Sequence, residues 1–225
     1  MFNSRVSGLF LQRNFLLAPR GPPLGLLSLP LRNLFIQTQP TPNPASLKFV
    51  PGKPVTGDGS TMDFSNIRYT TVSPLARQLF QIDGVVRVFF ANDFISVTKV
   101  EDLEWQLVKP EILSVITEHY TRGQPLFTEE LEDDDLQIND DDSEAVQLIK
   151  EILQARIRPF VQEDGGDIKY VDFEEEQGIV LIQMKGSCAG CPSSSVTLKN
   201  GIENMLKHYV AEVTEVRSVE EDEEE

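Results

Sequence analysis

Two thiols dominate the chemistry available to this chain. The stretch GSCAGCPSS, residues 186–194, holds Cys188 and Cys191, the only cysteines among 225 residues. A Cys-x-x-Cys pair can cycle between dithiol and disulfide, or it can supply half of a four-coordinate metal or iron–sulfur site. The second role needs two more ligands, and the only imidazoles in the chain are His119 and His208. His208 lies well inside the helix expected after Cys191, a span of about 25 Å at 1.5 Å per residue, too far to close on the same ion within one chain. His119 falls in the other half of the sequence, and both histidines read as solvated residues at helix ends. A metal site would then be shared between two chains, each contributing Cys188 and Cys191.

The elements around the thiols follow the order αββαβ. SEAVQLIKEILQARIRPF places Ala145, Leu148, Ile149, Ile152, Leu153 and Ile157 on one helical face, with Pro159 near its end. EDGGD then turns the chain through Gly165 and Gly166, both able to take positive φ. DIKYVDF and GIVLIQMKG read as a hairpin across the acidic turn EEEQG. Gly186 allows a tight exit and Pro192 suits the first turn of the next helix, whose apolar face is Leu198, Ile202, Met205, Leu206 and Tyr209. Cys188 and Cys191 thus fall at a helix N-terminus, where orphan amides and the positive end of the dipole favour thiolates or an anionic cluster. VTEVRSV closes as a short strand. Asp164 and Asp167 have two readings, groups near a bound cluster or partner, or solvated carboxylates of a glycine-rich turn.

The preceding half carries no cysteine and no Ser/His/Asp set. TPNPASLKFVPGK opens with helix-forbidding prolines and then alternates Leu47 and Phe49 as a strand. SPLARQLFQI reads as a helix with Ser73 at the N-cap and Pro74 in its first position. GVVRVFF and FISVTKV follow as strands about the turn Ala91-Asn92-Asp93. From Asp102 to His119, Leu103, Leu107, Ile112, Val115 and Ile116 form an apolar stripe interrupted at Pro110. Trp105, the only tryptophan, reads as a core or interdomain contact.

Charge divides the chain further. The net value is -16, yet the first acidic residue is Asp58, so residues 1–57 carry +6 and the rest -22. MFNSRVSGLFLQRNFLLAPR spaces arginines among Leu and Phe, the composition of a mitochondrial transit peptide. GPPLGLLSLPL, between Arg20 and Arg32, is too short and too proline-broken to span a bilayer. The acidity of the remainder argues against sequence-independent nucleic-acid binding. EELEDDDLQINDDDSEA, residues 129–145, has ten carboxylates in its first sixteen positions and reads as a self-repelling linker. It lacks the spaced Asp pattern and central Gly of a calcium loop. The expected organisation is a transit peptide at 1–35, one domain at 36–127, an acidic disordered linker at 128–142, a second domain at 143–219 and an acidic tail at 220–225. The fold class is α+β, with two small mixed domains.

Four stretches together resemble the mitochondrial Nfu-type, NifU-like iron–sulfur cluster scaffolds. They are IQTQPTPNPASLKF at 36–49, the helix SPLARQLF, IRPFVQEDGGD, and GSCAGCPSSSVTLKNGIENML. The resemblance covers roughly residues 36–219. It implies an N-terminal Nfu domain, a C-terminal NifU-like domain, and one [4Fe-4S] cluster bridged between the subunits of a homodimer through Cys188 and Cys191. A [2Fe-2S] form fits the same four thiolates. It further implies a non-enzymatic carrier in the mitochondrial matrix that receives clusters from upstream assembly proteins. Its recipients would be apoproteins such as lipoyl synthase and respiratory-chain subunits. With two cysteines the chain cannot hold the additional cysteine-rich assembly and ferredoxin-like domains of longer NifU proteins, which favours receipt and transfer over sulfur mobilisation. Neither membrane nor nucleic-acid partners are expected.

Two other readings use the same thiols. A thioredoxin-like oxidoreductase also sets Cys-x-x-Cys between a strand and a helix. Such a domain needs further strands after that helix, one led by proline, and no proline follows Pro192. A zinc-bridged dimeric adapter would place a structural metal in the four-thiolate site.

Overall fold

Strands β1 (Gln37–Pro40), β2 (Ser46–Val50), β3 (Met62–Phe64), β4 (Val85–Phe90) and β5 (Ile95–Lys99) form an antiparallel sheet in the order β1-β2-β5-β4-β3. The computed structural model describes residues 35–128, 136–139, 141–189 and 192–219, the last span with side chains from Val196 onward. The arginine-rich leader, residues 129–135 and 140 of the acidic stretch, Gly190, Cys191 and the acidic tail lie outside the described residues.

The period-2 pattern of these strands decides which face is buried in the core. Phe49, Phe64, Val88, Phe90, Ile95 and Val97 point to one side, where helices α1 (Pro74–Phe80) and α2 (Trp105–Arg122) cover them with Leu75, Leu79, Ile112 and Ile116. Ser73 caps α1 as expected, its Oγ accepting from the Ala76 amide. Two details of α2 depart from expectation. The helix runs through Pro110 without a break, the ring sitting on the exposed side and removing only the bond to the Gln106 carbonyl. Leu107 points to solvent, and Val108 takes the buried place.

The thiol-bearing half is a three-stranded sheet. β6 (Gly166–Glu174) pairs antiparallel with β7 (Ile179–Gly186), and helix α5 (Pro192–Tyr209) returns the chain to β8 (Glu215–Val219), parallel to β7. The expected first helix of this half is divided. α3 (Glu144–Ile152) passes through a π turn, Leu153–Ile157, into α4 (Arg158–Glu163). Pro159 supplies the physical reason, because its ring would collide with the Ala155 carbonyl in an unbroken α-helix and the wider turn relieves that contact. The order remains αββαβ, with Ile149, Leu153, Val161, Ile168, Ile182, Ile202 and Leu206 in the core.

The end of the acidic stretch is not simply solvated. Leu136 is fully buried in this second core, and Lys150 Nζ donates to the Gln137 carbonyl and to Asp142. One apolar residue among carboxylates suffices to dock the chain, with a lysine satisfying the adjoining oxygens. All described residues belong to one compact unit.

Candidate metal centre

β7 ends at Gly186 with φ 63°, and the chain turns through Ser187 and Cys188 toward α5. An L residue is strained at that φ, which makes Gly186 the hinge of the turn. Cys188 is not presented at an open helix end. Its side chain is 5% exposed and packs with the core that includes Ile157 and Ile202. Cys191 lies outside the described residues, so of the two expected ligands the structure places Cys188.

The EDGGD turn fits closely around this thiol. Gly165 takes φ 85°, as expected, but Gly166 needs no positive φ and serves a different purpose. A Cβ there would stand 2.6 Å from Cys188 Sγ and 2.6 Å from the Lys185 carbonyl oxygen, so only glycine leaves room for the sulfur. Ser187 ties the two segments together, its Oγ donating to the Asp164 carbonyl at 2.6 Å and its amide to the Gly165 carbonyl.

Cys188 also lines a cavity of about 670 Å³ between the π-turn region and α5, walled by Ile157, Phe160, Leu198 and Met205. Asp164 reaches the same cavity, and partial burial, then the neighbouring Glu163, push its carboxyl above the ordinary range, against the opposing pull of Lys48. Lys48 is itself shifted down by burial.

Several expected roles change. Asp167 is not a solvated turn carboxylate. It is fully buried, accepts from Arg158 Nε at 3.0 Å and Thr61 Oγ1 at 2.7 Å, and bonds its neighbour's amide. His119 is 3% exposed on the inner face of α2, with no hydrogen bond to Nδ1, and burial lowers its pKa below the usual 6.5. It is a core residue far from the role of solvated helix end. His208 is exposed, as read. Trp105 packs on the first core and donates to the Pro44 carbonyl at 3.0 Å. Among the described residues, no group of three or more His, Cys, Asp and Glu side chains is placed to hold a metal ion.

Residues that motif reading did not single out hold the back of the thiol turn. Asp63 on β3 accepts from the Gly186 amide at 3.0 Å, Asn43 donates to the Ser187 carbonyl at 3.2 Å, and Ser96 on β5 donates to the Gly165 carbonyl at 2.6 Å. For Asp63 and Ser96 the signal was the alternation of the first sheet, which turns Lys48, Asp63, Arg87, Phe89 and Ser96 away from the helix-covered core, whereas Asn43 lies in the loop between β1 and β2. A polar second face ordinarily reads as solvated.

Comparison with known proteins bears on both halves. The family model for the scaffold protein Nfu/NifU N terminal matches residues 36–123, and that for the NifU-like domain matches residues 149–217. The chain is 58% identical over 184 residues to NifU-like protein 4, mitochondrial, of Arabidopsis thaliana, a match spanning 81% of this chain and 65% of that protein's length. It is 56% identical over 196 residues to NifU-like protein 5, mitochondrial, of the same plant, covering 86% and 71% of the two chains. Against the NFU1 iron-sulfur cluster scaffold homolog, mitochondrial, of Drosophila persimilis, it is 49% identical over 228 residues, covering 98% and 79%. No helix among the described residues is long and apolar enough to cross a membrane. With a matching model over each half and relatives matched across most of their length, the chain belongs to the Nfu/NifU family of iron–sulfur cluster scaffold proteins.

Proposed function

We propose that this chain carries an iron–sulfur cluster as cargo, held between two copies by Cys188 and Cys191 of each, and passes it to apoproteins inside the mitochondrion. The observation that supports this most is the setting of Cys188, a thiol on a glycine-shaped turn beside an apolar cavity, with no third ligand grouped near it among the described residues. Soft thiolates suit iron and sulfide, and two per chain leave the set half complete until a second chain arrives. The cargo is a [4Fe-4S] cluster, one per dimer. A site that loses half its protein ligands when the dimer opens releases cargo stepwise to incoming acceptor thiolates. The chain then binds and releases without catalysing a reaction, receiving from upstream assembly proteins and delivering to clients such as lipoyl synthase and respiratory-chain subunits in the matrix. Residues 1–35 serve as the transit peptide, 36–127 and 143–219 as the two domains, 128–142 as the linker, and 220–225 as a tail.

Anaerobic reconstitution with iron and sulfide tests this reading. Near-stoichiometric iron and acid-labile sulfide, about two of each per chain for a shared four-iron cluster, and their loss in Cys191→Ala, support it. Zinc at one per dimer without sulfide would make the site structural. A reversible intramolecular disulfide that turns over with thiol reductants and never holds iron would make it an oxidoreductase.

A further inference from the structure

A cluster ligand shared between chains has to offer its sulfur to a second molecule, yet Cys188 is 5% exposed and packed into its own domain's core. Something must shift before the thiol can bridge. The residues immediately before it are held from the other half of the molecule, by contacts concentrated on the turn's backbone. Gly186 N–H is bonded to Asp63, the Ser187 carbonyl to Asn43, the Gly165 carbonyl to Ser96, and the Gln162 carbonyl to Lys48 Nζ at 3.0 Å. Thr61 adds a bond to the buried Asp167 carboxylate. Asp63 is itself fixed by Arg87.

Steric fit follows the same line. A Cβ on Gly186 would stand 2.8 Å from the Phe89 ring, and one on Gly165 would stand 2.9 Å from Ser96 Oγ. The glycines of the thiol turn therefore also admit the sheet of the first domain. Phe89 belongs to a small cluster with Ala91 and Phe94, apart from the main cores. The contact is thus mainly polar, with one small apolar patch, a composition suited to reversible docking.

We propose that the first domain is an intramolecular latch: through Asn43, Asp63, Ser96 and Thr61 it holds the Gly186–Cys188 turn with the thiol retracted, and its release presents Cys188 for sharing. The assignment rests on the carrier reading for its purpose, but its physical content, thiol accessibility controlled from the other domain, is measurable without cargo. Closing the latch shields the thiol while the chain is empty. Opening it frees the Gly186 amide and the Ser187 carbonyl together, so the turn can pivot at Gly186.

The test is alkylation of the reduced, full-length apo chain by iodoacetamide, read separately at Cys188 and Cys191 by fragment mass spectrometry. Thr61→Glu sets a carboxylate against Asp167, and the Asn43→Ala/Ser96→Ala pair removes two bonds to the turn without altering charge. Expected is a rise of about tenfold in the Cys188 rate for the first and severalfold for the second, as opening is made easier by lost docking bonds. Thr61→Ser, which keeps the hydroxyl, should retain the parental rate. Should Thr61→Glu fail to fold by circular dichroism, the alanine pair decides. Folded variants that alkylate Cys188 at the parental rate overturn the latch. Faster alkylation in a chain that never takes up iron and sulfide leaves the latch standing and overturns the carrier reading instead.

Discussion

The two halves of this molecule are built from similar amounts of sheet and helix but spend their residues differently. The first half seals its core. Phe49, Phe64, Phe90, Ile95, Ile112 and Ile116 are all within 1% of complete burial, and even its histidine is absorbed into packing. The second half leaves its packing unfinished at one place. A π turn, a cavity of about 670 Å³, a left-handed glycine and a buried thiol meet where β7 leaves its sheet. Departures from regular packing cost free energy, and here they are concentrated at the thiol where the cargo is proposed to bind. Both halves have buried cores of their own, and the first lends its polar sheet face to the turn that carries Cys188.

Equal truncations should separate the halves most clearly. Ile112→Ala removes a fully buried side chain from the sealed core and is expected to lower stability by about 2–5 kcal/mol. Leu198→Ala, on the cavity wall, should lose under about half as much, because its surroundings are already partly empty. Chemical denaturation of both variants checks the difference, and similar losses would mean that the cavity is filled or collapsed in solution.

Two glycines with the same backbone sharpen the contrast. Gly123 ends α2 at φ 63° with open space around its missing Cβ, whereas Gly186 has the same φ against the Phe89 ring. Gly123→Ala should cost about 1 kcal/mol, the price of left-handed backbone alone. Gly186→Ala adds a steric conflict and should cost about 1–3 kcal/mol in thermal unfolding. It should also weaken cluster retention, and normal iron content in a folded Gly186→Ala protein would remove this glycine from the account of the site.

The smallest effect concerns His119. Its folded pKa lies below 6.5, so between that value and 6.5 the unfolded chain binds more protons than the folded one. Stability therefore rises with pH through this window and falls on acidification below about 6.5. His119→Gln should flatten that part of the melting-temperature profile, and an unchanged slope would place the titration elsewhere.

Much of this was readable from sequence, for identifiable reasons. Ser73-Pro74, the period-2 strands and the EEEQG hairpin are local signals, and local physics decides them. Pro110 and Pro159 misled in complementary ways. The first sits on an exposed helix face that tolerates a missing bond, and the second is absorbed by a π turn. The site was half legible. Cys188 and its glycines stand out in the sequence, but the burial of Asp167 and the role of Asn43, Asp63 and Ser96 depend on contacts between residues more than a hundred positions apart in several cases. No period or motif encodes that a polar sheet face is docked instead of wet.

The most direct test of the shared site is anaerobic native mass spectrometry on protein beginning near Thr38, reconstituted with iron and sulfide. The expected product is a dimer heavier by one [4Fe-4S] cluster, with both the cluster and the dimer lost in Cys188→Ala. A cluster-bearing monomer, or a Cys188→Ala dimer that retains its cluster, would contradict it.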